Sequence, residues 1–225
     1  MCGRFTLFTN LSELAERFGF DPSTVQLRKN FNVAPSQSVL TVVANPSGTA
    51  LAKPEFMVWG LRPNWSSRQS TRPGIINARA ETAAEKPSFR SSFRNKRCLV
   101  IADGFYEWLK TDSGKNPMRI QLKNGSPFAF AGLWNNGLDI NGRAISTCTI
   151  LTTASTTFMQ PIHHRMPVIL KRENEARWID PKINSPSDIQ SLIVQNPDTY
   201  LQSWQVSNLV NSPLNNDPKC LEAVI

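Results

Sequence analysis

The stretch CLVIADGFYEW, which runs from Cys98 to Trp108, says more about the fold than any other part of the sequence. Its first five residues, Cys98–Ala102, are all apolar or nearly so, and a run of this length predicts a β-strand buried in the core. Gly104 then marks a turn, and an aromatic segment follows it. We therefore expect a buried strand that enters a glycine turn and continues into a segment flanked by aromatic rings.

Several other segments carry strand or helix signals. Apolar and β-branched runs predict further strands at Ser38–Ala44, Phe56–Trp59, Met118–Leu122, Phe128–Leu133 and Ile145–Leu151. Asn-Gly pairs at 124–125 and 141–142 predict hairpins. Helices are predicted at Asn10–Phe18, with Gly19 as the stop, at Glu173–Ile179 and at Asp188–Val194. This mixture predicts an α+β fold in which residues 1–225 form one compact domain with a curved, largely antiparallel sheet.

The composition excludes several classes of protein. The 225 residues contain no run of 18 apolar residues and no basic and apolar leader, so we expect neither a membrane span nor a signal peptide. The four cysteines lie far apart in sequence, which argues against a zinc site and against a disulfide framework. We expect a protein of the reducing cytoplasm, with no metal and no cofactor.

The charge favours a polyanionic partner. The chain has 25 Lys and Arg against 17 Asp and Glu, a net charge of +8. Pro63, Trp65 and Pro73 are interleaved among the arginines of the first half. Guanidinium groups pair with phosphates and aromatic rings stack on bases, so this pattern suits single-stranded nucleic acid. The alternative is that the charge serves only solubility.

The first residues, MCGRF, carry the clearest chemical signal. If Met1 is removed, Cys2 presents a free α-amine and a thiol on adjacent carbons, and both titrate near neutral pH. Such an aminothiol condenses with an aldehyde to an imine, and the thiol closes onto it as a thiazolidine. It can also act as an N-terminal nucleophile in an amidase. The alternative is a chance cysteine, buried or inert.

Three polar clusters are candidate partners for Cys2. Asn77 and Arg79 lie where a predicted strand meets a predicted helix, a position suited to a site or simply to a capped junction. Glu107 lies between Tyr106 and Trp108, where burial among rings would raise its pKa and allow proton transfer. By strand periodicity alone, however, Glu107 is more simply an outward-facing residue.

The third cluster contains both histidines of the chain, His163 and His164. They lie beside Arg165 in a loop that is flanked by Pro161 and Pro167. Two imidazoles in one loop with an arginine suggest a site rather than an ordinary surface loop.

Taken together, these segments resemble the SRAP (SOS response-associated peptidase) family. The resemblance rests on MCGRF, FNVAP, NARAET, RCLVIADGFYEW, H-x-RMP and the closing segment Val206–Asn211, in that order along nearly the whole chain. It implies a barrel-like core flanked by short helices. It also implies an abasic-site sensor that binds single-stranded DNA and traps the ring-opened sugar aldehyde on Cys2 as a thiazolidine crosslink. The peptidase activity implied by the name would release Met1.

The resemblance also implies a role for each candidate residue. Cys2 would be the nucleophile, Asn77 would orient the reacting groups, and Glu107 would shuttle protons. His163 would bind and protonate the sugar hydroxyl or a neighbouring phosphate. DNA contacts would come from Arg4 and Arg79, which would hold phosphates beside the lesion, and from Trp65, which would stack on a base.

Two positions depart from the family pattern. His164 stands where an acidic residue usually follows the reactive histidine, so the sequence leaves open which of the two rings reacts. Met118 stands where an aromatic residue is common, which we expect to affect only packing.

Two other functions stay open from the residues alone. One is a glutamine amidohydrolase of the N-terminal-nucleophile type, although the chain lacks the further motifs and the length that it would need. The other is a non-catalytic module that only binds single strands. Our expected partner is single-stranded DNA with abasic sites, with no membrane and no obligatory protein partner, in the cytoplasm and on the nucleoid when bound.

Overall fold

The structure, a computed structural model, describes residues 2–45, 52–63, 74–112, 114–139, 141–194 and 200–224. The strands within these residues are β1 (Arg4–Leu7), β2 (Asn30–Val33), β3 (Ser38–Val43), β4 (Lys53–Trp59), β5 (Asn77–Arg79), β6 (Arg97–Ala102), β7 (Gly104–Thr111), β8 (Gly114–Leu122), β9 (Phe128–Leu138), β10 (Ala144–Ala154), β11 (Arg165–Pro167) and β12 (Leu201–Gln205). The α-helices are α1 (Leu11–Phe18), α2 (Ala80–Ala83), α3 (Arg90–Asn95), α4 (Arg172–Ile179) and α5 (Pro186–Ser191).

Five strands close into a β-barrel in the order β10-β4-β3-β6-β9, with β9 pairing back onto β10. All of these pairings are antiparallel except that of β4 with β10. Strands β5 and β11 both pair with β10 beyond its part in the barrel. The expected α+β fold, a single compact domain with a curved, largely antiparallel, barrel-like core, is confirmed.

A second, five-stranded sheet lies beside the barrel, in the antiparallel order β12-β8-β7-β1-β2. The stretch from Cys98 to Trp108 joins the two sheets, because β6 belongs to the barrel and β7 to the second sheet. Gly104 permits a close approach at this junction, since a Cβ there would lie 2.8 Å from the Ile120 carbonyl oxygen. Asp103 accepts hydrogen bonds from the Phe8 and Thr9 amides and so holds the turn against the end of β1.

The alternation of side chains along the barrel strands creates two apolar layers. Val100 and Phe130 face the barrel interior, where Phe5 of β1 and Phe105 of β7 also pack. The opposite faces of the same strands are covered by the helices, whose apolar residues form the outer layer (Leu14, Phe18, Phe93, Trp178 and Ile189). The barrel is therefore closed at one side by the second sheet and elsewhere by helices.

Most local predictions are confirmed, and one hairpin is wrong. Helix α1 begins at Leu11, one residue after the predicted start, and ends at Phe18 as predicted, with Gly19 in the left-handed conformation at φ 68°. Gly142 lies in the turn between β9 and β10, which pair as a hairpin. Gly125 also lies in a turn, but β8 and β9 on its two sides belong to different sheets. The Asn-Gly pair at 124–125 therefore connects the second sheet to the barrel instead of closing a hairpin.

Within the described residues, no helix is long and apolar enough to cross a membrane. All four cysteines are buried, and each is a free thiol.

Candidate active site around Cys2

Cys2 lies directly before β1 at the interface between the barrel and the second sheet. Its side chain is 0% exposed and packs in the apolar cluster that fills the barrel interior. The Cys2 thiol donates a weak hydrogen bond to the Arg4 carbonyl oxygen at 3.8 Å. The Cys2 carbonyl oxygen accepts a hydrogen bond of 2.7 Å from Nδ2 of Asn77. Both the main chain and the side chain of Cys2 are therefore held in place.

Asn77 is delivered to Cys2 by the strand-to-helix junction that the sequence predicts. It opens β5, which runs parallel to β10 with Asn77 opposite Ile150, and α2 begins three residues later. Its Nδ2 is used by Cys2, but its Oδ1 is buried and has no hydrogen-bond partner among the described residues. Because a buried acceptor without a partner is costly, this atom is suited to receive a donor from a bound ligand.

Glu107 lies on β7 on the same face as Phe105, toward the barrel interior. Its side chain is buried, only 5% exposed, and burial raises its pKa against the opposing effect of the amino-terminal charge. The predicted pKa rise is thus confirmed, and the outward-facing alternative is wrong. The alternative fails because Tyr106, on the other face of β7, is covered by Val206 and Val210 from the end of the chain.

The Cys2 thiol is far less acidic than the sequence suggests. Burial raises its pKa far above the ordinary value, and the nearby charge of Glu107 raises it further. The expectation of a usable thiolate fraction at neutral pH concerns the protein after loss of Met1 and stays a prediction. The thiol is held protonated, so its use as a nucleophile requires a base, and the carboxyl group of Glu107 is close enough to act on it electrostatically.

His163 is the half-buried member of the histidine pair, and His164 is exposed. Nδ1 of His163 accepts a hydrogen bond of 2.9 Å from the main-chain N–H of Arg165. The same Nδ1 also lies 3.0 Å from the Arg165 carbonyl oxygen, so the Arg165 main chain presents both a donor and an acceptor to this ring nitrogen. The rings of His163 and His164 stack at 4.4 Å with an interplanar angle of 21°. Burial lowers the pKa of His163, and the positive charges of the amino terminus, His164 and Lys110 lower it further.

The three predicted DNA-binding residues differ in their surroundings. Nη1 of Arg4 donates to Asn32 Oδ1 at 2.8 Å and to the Val210 carbonyl oxygen at 2.7 Å, so it is used within the protein. Arg79 is exposed at the end of β5, next to Asn77 along the junction. Trp65 lies outside the described residues.

Cys2, Asn77 and Glu107 are thus brought together from three distant parts of the sequence. Sequence reasoning did not predict that Arg165 of the histidine cluster forms a bidentate ion pair with Glu81, with distances of 2.7 and 2.9 Å. The signal was present, because both residues belong to the motifs NARAET and H-x-RMP. No group of three or more potential metal ligands occurs among the residues that the structure describes.

The chain is similar to known proteins in sequence and in fold. The profile of the family described as SOS response associated peptidase (SRAP) matches residues 1–213. The Bacillus subtilis abasic site processing protein YoqW is 45% identical over 226 residues, which cover 99% of this chain and 100% of YoqW. YoaM, another abasic site processing protein of that organism, is 43% identical over 226 residues, 99% of this chain and 98% of YoaM. A crystal structure of a Bacteroides thetaiotaomicron protein is similar with a TM-score of 0.86 and 27% identity, over 100% of both chains.

Proposed function

The chain belongs to the SOS response associated peptidase (SRAP) family, and on this premise we propose that it processes abasic sites in DNA by forming a covalent crosslink through Cys2. The relatives that cover its whole length are named abasic site processing proteins. The substrate is single-stranded DNA in which one deoxyribose has lost its base. The sugar opens to an aldehyde at C1′, which is the electrophile.

The observation that supports this proposal most is the convergence on Cys2. Asn77 binds its carbonyl oxygen at 2.7 Å, and the carboxyl group of Glu107 acts on its thiol from a buried position. An aminothiol, a proton carrier and an unused buried acceptor are the groups that condensation with an aldehyde requires.

The reaction begins after hydrolysis of the peptide bond between Met1 and Cys2. The freed Cys2 amine attacks C1′, and Glu107 carries a first proton from the nitrogen to the aldehyde oxygen to give a hydroxyl. It then carries the second proton from the nitrogen to this hydroxyl, which leaves as water to give an imine. Glu107 then takes the Sγ proton as Sγ attacks the imine carbon, and returns a proton to the nitrogen. One aldehyde and one aminothiol give one thiazolidine and one water, with no oxidant or reductant.

The neighbouring residues have supporting roles in this proposal. Nε2–H of His163 donates to the sugar oxygen, which favours the opened form. The Oδ1 of Asn77 accepts a hydrogen bond from the reacting amine or from a sugar hydroxyl while its Nδ2 keeps Cys2 in place. Arg79 binds a phosphate beside the lesion, and Trp65 stacks on a base.

The proposal is tested with a single-stranded oligonucleotide that carries one abasic site. We expect an adduct that survives denaturing electrophoresis. An imine would survive only if it were first reduced to an amine, whereas a thiazolidine should survive without any reduction. Cys2→Ala should form none, while Cys148→Ala, which removes another buried thiol, should form it normally. Intact mass should show that the reactive protein begins at Cys2.

The alternatives give different results in the same assay. An adduct of Cys2→Ala would overturn the crosslinking mechanism. Binding that is sensitive to salt and gives no adduct would support a non-catalytic module instead. Glutamine hydrolysis that depends on Cys2 would support the amidohydrolase.

A further inference from the structure

The hydrogen bond between Asn77 and Cys2 joins two parts of the fold that do not pair as strands. Strand β1, which follows Cys2, pairs with β2 and β7 of the second sheet. Strand β5, which begins at Asn77, pairs with β10. The distance between Cys2 and Asn77 is therefore not set by a ladder of main-chain hydrogen bonds between their own strands, and side chains must contribute to it.

Trp59, at the end of β4, holds the main chain that leads into Asn77. Its indole is 0% exposed, and Nε1 donates to the Ile76 carbonyl oxygen at 2.9 Å. The same carbonyl oxygen accepts the Ile150 main-chain N–H at 3.1 Å. This carbonyl belongs to the peptide unit that joins Ile76 to Asn77, so the unit is held at once by β10 and by the indole.

The ring of Trp59 also packs on the strand that follows Cys2. The ring centroids of Trp59 and Phe5 lie 5.1 Å apart, with an interplanar angle of 57°. Phe5 lies three residues after Cys2 and is itself 0% exposed. Because a close-packed interior leaves little free space around such a ring, the indole limits where β1 can lie on the barrel.

The main chain of Trp59 is tied to the barrel and to the segment before β3. Its N–H donates to the Gln37 carbonyl oxygen at 2.9 Å, and its carbonyl oxygen accepts the Ser36 N–H at 2.8 Å. The next N–H, that of Gly60, donates to the Cys148 carbonyl oxygen at 2.8 Å. The indole is therefore a fixed reference point for both of its contacts.

We propose that Trp59 is a positioning residue for the crosslinking reaction: its N–H fixes the peptide unit before Asn77 while its ring fixes β1, so that the Asn77 amide meets the Cys2 carbonyl oxygen. The inference rests on the proposed function, because the rate that it predicts is the rate of crosslinking. It assigns no contact between Trp59 and the DNA.

The test replaces one indole by benzothiophene, which keeps the shape of the ring but has sulfur in place of the N–H. Benzothienylalanine is introduced at position 59 or, as the control, at position 178. Trp178 is also 0% exposed, and its Nε1 also donates to a main-chain carbonyl oxygen, that of Cys98, at 3.0 Å. Trp178 lies in the outer apolar layer, whereas Trp59 lies in the barrel interior with Cys2. Both replacements therefore remove one buried hydrogen bond, but only one of these bonds leads to Asn77.

We expect benzothienylalanine at position 59 to lower the maximum crosslinking rate roughly 10-fold, because the reacting groups are less well placed. The DNA concentration that gives half of this rate should not change. The same replacement at position 178 should keep the wild-type rate. If either replacement prevents folding, Trp59→Phe and Trp178→Phe allow the same comparison. Equal rates for the two positions would overturn the proposal.

A combined variant shows whether Trp59 acts through Asn77. In an Asn77→Ala background, benzothienylalanine at position 59 should cause no further loss, because the side chain that Trp59 positions is already absent. Losses that multiply in the combined variant would overturn the proposal.

A measurement without DNA keeps this inference separate from the proposed function. In protein labelled with ¹⁵N-asparagine, the side-chain amide signal of Asn77 is identified by its absence in Asn77→Ala. Benzothienylalanine at position 59 should move this signal toward that of an asparagine amide in water, and the same replacement at position 178 should leave it in place. An unchanged signal would overturn the positioning role even if crosslinking occurs. A signal that moves as expected, in a protein whose wild type forms no crosslink, would support the positioning of Asn77 and overturn only the proposed function.

Discussion

Asn77 and Cys2 are joined by a hydrogen bond of 2.7 Å from the Asn77 amide nitrogen to the Cys2 carbonyl oxygen. The bond ties the start of the chain to a strand 75 positions later. The same side chain also carries the buried Oδ1, which has no hydrogen-bond partner among the described residues, so this acceptor belongs to the group that holds Cys2, the candidate aminothiol. The first prediction tests this bond.

Replacing Asn77 with Ala should slow crosslinking by roughly 10-fold to 10²-fold, because the Cys2 main chain loses its donor and the reacting groups are less well placed. Non-covalent affinity for single-stranded DNA, measured in a Cys2→Ala background, should change little. Asn95→Ala, at the exposed end of α3, is the control. A loss of affinity that accounts for the whole loss of rate would show that Asn77 binds DNA instead of organising the nucleophile.

Glu107→Gln should remove the proton carrier while it keeps the shape of the side chain. We expect crosslinking to slow on the order of 10²-fold, the usual contribution of a general acid–base group. Burial raises the pKa of Glu107, so the wild-type crosslinking rate should change with pH at values above the pKa of an ordinary carboxyl group. The rate of the variant should not show this change. If the rate of the variant depends on pH in the same way, the pH dependence belongs to another group. Glu13→Gln, on the exposed face of α1, should behave as the wild type.

The same substitution, which should slow the reaction, should stabilise the folded protein at higher pH. Because the folded pKa of Glu107 is raised above its unfolded value, the folded state holds the proton more tightly. The stability that this group contributes is fully present below the unfolded pKa and is lost as the pH rises through the folded pKa. The free energy of unfolding of Glu107→Gln in urea, relative to that of the wild type, should therefore increase when the pH is raised from 4 to 8. An equal difference at both pH values would contradict the raised pKa.

The two Asn-Gly pairs show which part of the fold local sequence can determine. Both produce turns, as predicted, because an Asn-Gly pair readily adopts positive φ, and Gly125 and Gly142 have φ of 70° and 77°. Only the turn at Gly142 closes a hairpin. Whether the strands after a turn pair with each other depends on which apolar faces they share with distant strands, and that information does not lie in the turn.

Glu107 and Arg97 show the same limit for side chains. Alternation along β7 shows which side chains share a face, but it identifies the buried face only when the other face is exposed. In this protein both faces of β7 are covered, because Val206 and Val210 from the end of the chain pack on the face that carries Tyr106. Arg97 is buried although it belongs to the basic first half of the chain. It donates to main-chain carbonyl oxygens of Trp178 and Asp180 at the end of α4, so it contributes to folding rather than to a DNA surface.

Arg79 and Arg4 should respond differently to removal. Arg79→Ala should lower the slope of log affinity against log salt for single-stranded DNA by about 0.7, the share of one phosphate. The exposed Arg143, in the β9–β10 turn, is a matched control that should leave the slope unchanged. An unchanged slope for Arg79→Ala would mean that this arginine does not bind a phosphate.

Arg4→Ala should instead reduce stability, by about 1–3 kcal/mol, because it removes hydrogen bonds to Asn32 and to the Val210 carbonyl oxygen. Urea unfolding measures this loss. If Arg4 also binds a phosphate, Arg4→Ala should also lower the slope of log affinity against log salt for single-stranded DNA. A wild-type free energy of unfolding together with a reduced slope would show that Arg4 serves the DNA and that its internal bonds contribute little.

The histidine pair provides the last prediction, since the sequence leaves open which ring reacts. His163 is half-buried and its Nδ1 accepts from the Arg165 main-chain N–H, whereas His164 is exposed and stacks on the His163 ring. The ring that is half-buried and bound by the main chain is the better placed of the two to act on a bound sugar, so His163→Ala should slow crosslinking or its reversal on the order of 10-fold to 10²-fold while His164→Ala has little effect. Because the pKa of His163 is lowered by burial, the ring stays neutral until the pH falls below the ordinary histidine range. His164→Ala removes one of the positive charges that lower this pKa, so the titration of His163, followed by NMR, should move to higher pH. A larger rate defect in His164→Ala would assign the reaction to the other ring, and equal defects would mean that the shape of the loop matters more than either imidazole.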